Sequence, residues 1–272
     1  MGLVPMMAAM GMAGLMRYAK DRAKETIRRA IPAHVRFVRA GEAFLADGER
    51  EVHLLHRLVE AGTTAIDVGA HIGDYTYSLC RHVAPGGRVI SIEPIPELAR
   101  MLQRATRHLQ LPVTVVNCAL SAKEGEAELF IPIEAGRRKT GFATLEPRGN
   151  GGKSYRVPLR RLDEVCKDVT GRISFIKIDV EGHELSVLQG GTETLRRHRP
   201  NLLIEIEQRH SSIPIGQTLD WLAAAGYRGE YLSPDGTPRA LAEFDVEEHQ
   251  TSRLDRVGTG EYVSNFLFFA ND

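Results

Sequence analysis

Apolar and polar residues follow one another in blocks whose period switches between that of strands and that of helices. Apolar runs typical of buried strands lie at 64–68, 88–92, 113–116, 173–178, 202–206 and 262–269. Helix-like stretches lie between or beside them at 49–60, 75–83, 96–109, 184–195 and 219–225. Strands that alternate with helices in this way predict an α/β fold, with a mostly parallel sheet covered by helices on both faces.

The middle of the chain departs from this pattern. Residues 126–133 alternate like a half-exposed strand, 155–159 resume strand character, and 162–165 begin a short helix. Between them, 136–153 are rich in glycine and carry Arg137, Arg138, Lys139, Arg148 and Lys153. We interpret this segment either as a lid that orders over a substrate or as a solvated insertion loop. If it is a lid, its cations suggest an acceptor that bears phosphate or carboxylate.

Composition sets the domain plan. The chain has 272 residues, 43% of them hydrophobic and 26% charged, which suits one large domain with a short extension. We place the N-terminal extension, partly disordered or helical, at 1–45 and the catalytic domain at 46–272. The formal net charge of zero gives no global attraction to nucleic acid, so no nucleic-acid partner is expected.

The termini and cysteines bear on location. Three cysteines fit no zinc or redox spacing and indicate a reducing, cytoplasmic setting. The apolar residues 1–16 precede a basic stretch, the reverse of a signal peptide, and they are too few for a spanning helix. A disordered start and a peripheral membrane contact through this segment both remain open.

The first strand runs into a turn with the sequence AIDVGAHIGDYT at 65–76. Gly69 and Gly73 bracket this turn and allow a ligand to approach the backbone closely. A dinucleotide fingerprint would need glycine where His71 and Asp74 stand, which argues against a nicotinamide cofactor. Asp67 and Asp74 suit a cationic ligand without phosphates, and S-adenosylmethionine carries a sulfonium and an ammonium.

Two further strand ends carry polar side chains. Glu93, after the second strand, can accept two hydrogen bonds from ribose hydroxyls, although an acid there is also a common helix cap. Asn117, after the third strand, can reach an adenine edge, with the backbone of 118–120 along the ring. Asn is also a frequent turn former, so both interpretations of Asn117 stay open.

Acids and histidines gather after the last two parallel strands. Asp179, Glu181, His183 and Glu184 follow one strand, and the next strand end adds Glu205, Glu207 and His210. Helix capping explains one carboxylate, but not three together with a histidine. Because ligands of such sheets bind beyond the carboxyl ends of the strands, we expect these side chains at a reaction site.

Residues 64–123 and 173–207 closely resemble the FkbM family of S-adenosylmethionine-dependent methyltransferases. The motifs that carry the resemblance are IDVGAHIGDYT, ISIEPIPE, VVNCALSAKEG, FIKIDVEGHELSVLQGG, LLIEIE and NFLFF, and the likeness spans about 50–270. It leaves 233–260 and the N-terminal 45 residues unmatched. It implies a Rossmann-like class I methyltransferase fold with seven strands, of which the last is antiparallel.

The resemblance also assigns roles to residues. It implies S-adenosylmethionine as cofactor and, as acceptor, a hydroxyl on a sugar, glycan or secondary metabolite. With the strand-end analysis it gives the cofactor-binding set Asp67, Gly69, Ala70, His71, Gly73, Tyr75, Thr76, Glu93, Pro94, Asn117, Ala119 and Asp179. The set expected around the reacting atoms is Asp179, Glu181, His183 and Glu205.

Methyl transfer to a hydroxyl also calls for a general base in the site. An alcohol hardly ionises at neutral pH, so a group that takes its proton assists methyl transfer. His183 is the first choice, with Asp179 or Glu205 as its carboxylate partner. The alternatives are a His183 that caps a helix, with Glu181 or His210 as base, or carboxylates that hold a divalent cation. A protein that keeps the fold without activity is a further alternative.

Overall fold

The computed structural model describes residues 31–134, 137–146 and 151–271, and the fold is given for these ranges. The helices are α1 (Ala33–Asp47), α2 (Leu55–Leu58), α3 (Asp74–His82), α4 (Pro96–His108), α5 (Leu162–Cys166), α6 (Glu184–Gly190), α7 (Thr192–His198), α8 (Gly216–Ala224) and α9 (Val246–His249). The strands are β1 (Thr64–Val68), β2 (Arg88–Ile92), β3 (Val113–Val116), β4 (Ala119–Leu120), β5 (Gly125–Glu134), β6 (Arg137–Arg138), β7 (Gly152–Arg160), β8 (Ile173–Ile178), β9 (Asn201–Glu205), β10 (Tyr227–Leu232), β11 (Pro238–Ala240) and β12 (Asn265–Ala270).

The main sheet has the order β11-β10-β12-β9-β8-β1-β2-β3. β1 pairs in parallel with β2 and β8, whereas β12 runs antiparallel to both β9 and β10. Without β11 this is the strand order of the class I methyltransferase fold, so the predicted fold is confirmed. The predicted count of seven strands is wrong by one, because β11 adds an antiparallel edge to β10.

Several element boundaries differ from the sequence prediction. The helix expected at 49–60 is a 3-10 turn (Arg50–Leu54) followed by the single turn α2. The helix expected at 184–195 divides into α6 and α7 at Gly191, where a Cβ would lie 2.6 Å from the side chain of Leu162. The strand β10 escaped prediction because its sequence, YRGEYL, mixes charged residues and a glycine with its buried aromatic side chains.

The sheet is buried between two layers, as its apolar runs predict. Every residue of β1 and β8 is buried, and alternate side chains face opposite sides of the sheet. On one side α1 packs against α3 and α4 through Phe37, which is fully buried. Phe37 lies so close to Gly73 that a Cβ there would be 2.5 Å from its ring, so α1 supports the turn after β1.

A second sheet of order β4-β7-β5-β6 is inserted between β3 and β8. Its buried face carries Leu129, Ile131, Val157 and Leu159, which pack with Ile95 and Leu98 at the start of α4. The strands predicted at 126–133 and 155–159 are therefore confirmed, and they form one antiparallel pair. This small sheet stands beside the carboxyl ends of the parallel strands, where the polar strand ends converge.

Candidate active site

A cleft opens at the carboxyl ends of β1, β2 and β8. Its volume is about 990 Å³ when its open mouth is included. The predicted site residues that line it are Asp67, Gly69, Ala70, His71, Tyr75, Glu93, Pro94, Ala119, Asp179, Glu181 and His183. Four other predicted residues do not line the cleft but contact residues that do, namely Gly73, Thr76, Asn117 and Glu205.

The turn after β1 brings two strand ends into contact. Gly69 has φ +84°, and a Cβ on it would lie 1.9 Å from the carbonyl oxygen of Asp179. The amide of Asp179 donates to the carbonyl of Val68 at 3.0 Å, which locks the two strand ends together. Only glycine meets both the backbone conformation and the close approach, so Gly69 sets the floor of the cleft.

Glu93 is buried and accepts two backbone hydrogen bonds. The amide of His71 reaches one carboxylate oxygen and the amide of Ile95 the other, each at 2.7 Å. Burial raises its pKa to about 7, although the two backbone hydrogen bonds act in the opposite direction. The amide nitrogen of Asn117 donates to the carbonyls of Glu93 and Pro94 at 2.7 and 3.0 Å, so Asn117 ties down this loop.

Asp67 is also buried, at the end of β1. It accepts a hydrogen bond of 2.5 Å from the Thr76 hydroxyl, which lies 2.7 Å from the Ser91 hydroxyl. Burial raises the pKa of Asp67 to about 6, against the effect of Thr76 and of the charge on Lys177. Thr76 therefore orients Asp67 and does not face the cleft itself.

Lys177 is a buried residue of the cleft that the sequence analysis missed. It is almost fully buried in β8, where its ammonium donates to the side-chain oxygen of Asn265 at 3.1 Å and lies 5.1 Å from the ring centroid of Tyr75. Glu49 accepts hydrogen bonds from both Asn265 and Tyr75. Burial lowers the pKa of Lys177, but Glu49, Asp179 and Glu205 outweigh it and the net shift is upward. A lysine inside an otherwise apolar strand was the available signal, because lysine is rarely buried unpaired.

Asp179 and Glu205 form a coupled pair beside this lysine. Burial and then the charge of Asp179 raise the pKa of Glu205 well above its usual value. Burial raises the pKa of Asp179 to about 6, while Lys177 and a hydrogen bond with Glu205 act to lower it. The pKa values of both carboxyl groups are therefore shifted upward by burial, and Asp179 is the member of the pair that lines the cleft.

Glu181 also lines the cleft and has an unusual backbone conformation. Its φ of +55° is uncommon for a residue with a side chain, and His71, across the cleft, has φ +47°. Such conformations cluster at functional sites. The Glu181 carboxylate contacts Nδ1 of the buried His210, which also lies 3.6 Å from Glu207. The structure thus joins Glu181 to His210 rather than to His183.

His183 occupies the position before α6, and both of its ring nitrogens have partners. Nδ1 lies 3.0 Å from a carboxylate oxygen of Glu146, and Nε2 lies 3.0 Å from the Ser121 hydroxyl. The side chain makes no capping hydrogen bond to the helix and lines the cleft. The expected carboxylate partner, Asp179 or Glu205, is wrong: Glu146 of the insertion takes that place.

We call residues 137–146 of the insertion the cover segment. Thr140, Gly141, Ala143 and Leu145 line the cleft, and the Thr140 hydroxyl lies 2.9 Å from Nε2 of His71. Two of its cations have partners outside the cleft, since Arg138 contacts Tyr155 and Glu97 and Lys139 lies 3.2 Å from Glu134. Lys153, farther along, lies over the ring of Tyr155. Arg148 lies outside the described residues.

Two further features of the described residues concern metal ions and membranes. Within the described ranges, no group of three or more His, Cys, Asp or Glu side chains is placed to hold a metal ion. Among the helices of those same ranges, none is both long and apolar enough to cross a membrane. The predicted contact of the N-terminal segment with a membrane falls on residues 1–30, outside the described part of the chain.

The fold and the cleft define a class I methyltransferase domain, whose cofactor is S-adenosylmethionine. The sequence model of the methyltransferase FkbM domain matches residues 67–228. That match covers more than half of the chain, so the protein belongs to the FkbM methyltransferase family. The resemblance noted from the motifs is thereby confirmed.

Individual relatives are more distant. Methyltransferase sdnD of Sordaria araneosa is 28% identical over 168 residues, which are 52% of this chain and 64% of that protein. Methyltransferase 1 of Beauveria bassiana is 24% identical over 198 residues, 66% of this chain and 78% of that protein. The solved FkbM methyltransferase of Methylobacillus flagellatus superposes with a TM-score of 0.48 at 17% identity, covering 85% of this chain and 53% of that one. The match thus spans 64% of the length of sdnD.

Proposed function

We propose that the protein transfers the methyl group of S-adenosylmethionine to a hydroxyl of a neutral acceptor, of the type found on sugars, glycans and secondary metabolites. The observation that carries the proposal is one cleft that joins a glycine turn and a buried Glu93 to Asp179, Glu181 and His183. When bound, the cofactor supplies a methyl group on a sulfonium, whose sulfur becomes a neutral thioether after transfer.

The residues of the cleft fit this cofactor. Each oxygen of Glu93 accepts one backbone hydrogen bond and retains a lone pair for a ribose hydroxyl. Glu49, Asp67, Asp74 and Asp179 outnumber the one buried cation, Lys177, among the described residues around the β1 turn. A ligand with a sulfonium and an ammonium balances this excess of negative charge.

The proton of the acceptor hydroxyl needs a destination. A carboxylate only accepts hydrogen bonds, so the Glu146 contact requires a hydrogen on Nδ1 of His183. The neutral ring then has its lone pair at Nε2, which lies 3.0 Å from the Ser121 hydroxyl. With cofactor and acceptor bound, Nε2 would take the proton of the acceptor hydroxyl, which would replace the Ser121 hydroxyl at this nitrogen, while the carbon–sulfur bond of the cofactor breaks.

The charges near the reacting end favour a neutral acceptor. Asp179 and Glu181 line the cleft together with His183, and Glu146 contacts the His183 ring, so these acids would repel a phosphate or carboxylate on the acceptor. The cations Arg138, Lys139 and Lys153, which suggested an acidic acceptor, contact other side chains. Leu129, Ala143 and Leu145 add an apolar wall, which suits the carbon skeleton of a sugar or macrocycle.

The test has two stages on the full chain. Calorimetry with S-adenosylmethionine should show binding, and tighter binding of a nicotinamide dinucleotide would overturn the proposal. Labelled methyl transfer is then assayed on neutral glycosides and on matched uronic acids and sugar phosphates. We expect transfer to neutral hydroxyls, whereas transfer only to the acidic set would refute the acceptor class.

Variants of the base sharpen the test. His183→Gln should lower kcat about 10²–10⁴-fold, because it removes a general base, while cofactor affinity stays near that of the native protein. His210→Gln serves as the comparison, and normal turnover in His183→Gln would move the base to the Glu181–His210 pair. Loss of activity in EDTA with recovery in Mg²⁺ would show that a metal ion, rather than His183, activates the acceptor hydroxyl.

A further inference from the structure

We propose that Glu146 is a positioning residue that fixes the ring form of His183, and that it does so from the insertion rather than from the main sheet. The inference rests on the proposed function, because it concerns the group that would accept the proton. The geometry behind it is a chain of contacts from Ser212 through Glu146 and His183 to Ser121.

The ring form matters because only one nitrogen of a neutral histidine can accept a proton. If Nδ1 carried the lone pair, Nε2 would be protonated and could not take a proton from an O–H group. The Glu146 carboxylate, 3.0 Å from Nδ1, stabilises the hydrogen at that nitrogen. It also stabilises the positive ring that forms once Nε2 is protonated, as in other acid–histidine pairs.

Glu146 is itself held in place on both sides. Its second carboxylate oxygen accepts a hydrogen bond of 2.8 Å from the Ser212 hydroxyl, and its amide donates to the Thr144 hydroxyl at 3.0 Å. The Glu146 and His183 side chains are 21% and 15% exposed, so solvent screens the pair less than it screens a surface ion pair.

Thr144 extends the contact to Glu181, which also lines the cleft. Its backbone pairs with Phe130 of β5, and its hydroxyl donates to the carbonyl of Glu181 at 2.8 Å. Residues 144–146 therefore touch the segments that follow β8 and β9 at the same time. The packing of the insertion against these segments therefore also orients His183.

The decisive measurement is the ring form of His183, which needs no acceptor. We propose ¹⁵N-histidine labelling of the full chain and long-range ¹H–¹⁵N spectra at pH 8, with His183→Gln used to assign the signals. Glu134, an exposed carboxylate at the end of β5, provides the control variant Glu134→Gln. The native protein and this control should both show hydrogen on Nδ1. Glu146→Ala should lose that preference, and an unchanged ring form would overturn the inference.

Kinetics then separate positioning from general damage. Glu146→Ala should lower kcat about tenfold to hundredfold, part of the about 10²–10⁴-fold contribution of a general base, with unchanged KM for the cofactor. Glu146→Asp should recover part of the loss, since it restores the charge. If Glu146→Ala unfolds, Ser212→Ala provides the milder test, with the same direction expected in the spectra.

The two hypotheses fail in different ways. If no hydroxyl acceptor takes the labelled methyl group, the proposed function is wrong, whereas the spectra still decide what Glu146 does to His183. If methyl transfer proceeds and kcat of Glu146→Ala equals that of the native protein, the positioning role is wrong and the proposed function stands.

Discussion

Glu93 shows how one buried carboxylate can serve both the backbone and a ligand. It holds the amides of His71 and Ile95, and these two residues flank the region where the turn after β1 meets the start of α4. Burial disfavours the charged carboxylate more than these two hydrogen bonds favour it, so the pKa of Glu93 is raised.

Replacing Glu93 with Gln should weaken cofactor binding about 10–150-fold. The change removes at least one hydrogen bond to a charged group, worth about 1.5–3 kcal/mol. It also places the NH₂ group of the glutamine opposite a backbone N–H, so that two donors face each other. Calorimetry measures the effect, with Glu97→Gln, a half-exposed acid at the start of α4, as the control. Equal affinities in the native protein and Glu93→Gln would remove Glu93 from the cofactor site.

At the scale of elements, the turn between β1 and α3 connects the cofactor end of the cleft to the acidic end. Gly69 touches the backbone of Asp179, and Gly73 touches Phe37 of α1. The position of Asp179 therefore depends on a glycine that lies 110 residues earlier in the chain. A change in this turn should affect cofactor binding and folding together.

Gly69→Ala should lower the free energy of unfolding by at least about 2 kcal/mol. The new Cβ would be strained at φ +84° and would overlap the Asp179 carbonyl, a backbone atom that cannot rotate away. Urea denaturation measures the change. Gly171→Ala is the matched control, because no described atom lies within 4 Å of its Cβ position. A loss no larger than that of the control would contradict the close approach.

At the scale of the whole molecule, the cleft concentrates carboxyl groups that resist ionisation. Burial raises the pKa of Asp67, Asp74 and Asp179 to about 6 and that of Glu93 and Glu184 to about 7. The folded protein thus holds protons that the unfolded chain, with ordinary values near 3.8 and 4.5, has released. Their stabilising contribution is complete below those ordinary values and is lost as the pH rises through 6 to 7.

Without added cofactor, the protein should therefore unfold at lower urea concentration at pH 7.5 than at pH 5.5. S-adenosylmethionine should reduce the difference, since a cation compensates the ionised acids. Asp67→Asn should also reduce the difference between the two pH values, whereas Asp168→Asn, at an exposed position, should leave that difference unchanged. Greater stability at pH 7.5 in the cofactor-free native protein would contradict the raised pKa values.

Local patterns determined much of this molecule. The parallel strands and most helices follow from the period of apolar residues, and the strand ends follow with them, since parallel strands place their carboxyl ends at one edge. Gly69, Glu93, Asp179, Glu181 and His183 were therefore predictable together. β10 and β11 were not, because their sequences lack an apolar run and they are ordered by pairing with β12 and with each other.

The tertiary structure alone decided which side chains pair. His183 and Glu146 are 37 positions apart and meet only because the insertion folds against the end of β8. Lys177 can remain buried because Asn265 and Glu49, from opposite ends of the chain, meet above it. Arg138 and Lys139 likewise contact Glu97 and Glu134 rather than the cleft, because the fold brings these acids close to them. Periodicity reports which face of an element is buried, whereas hydrogen-bond partners depend on distances between elements that no local pattern encodes.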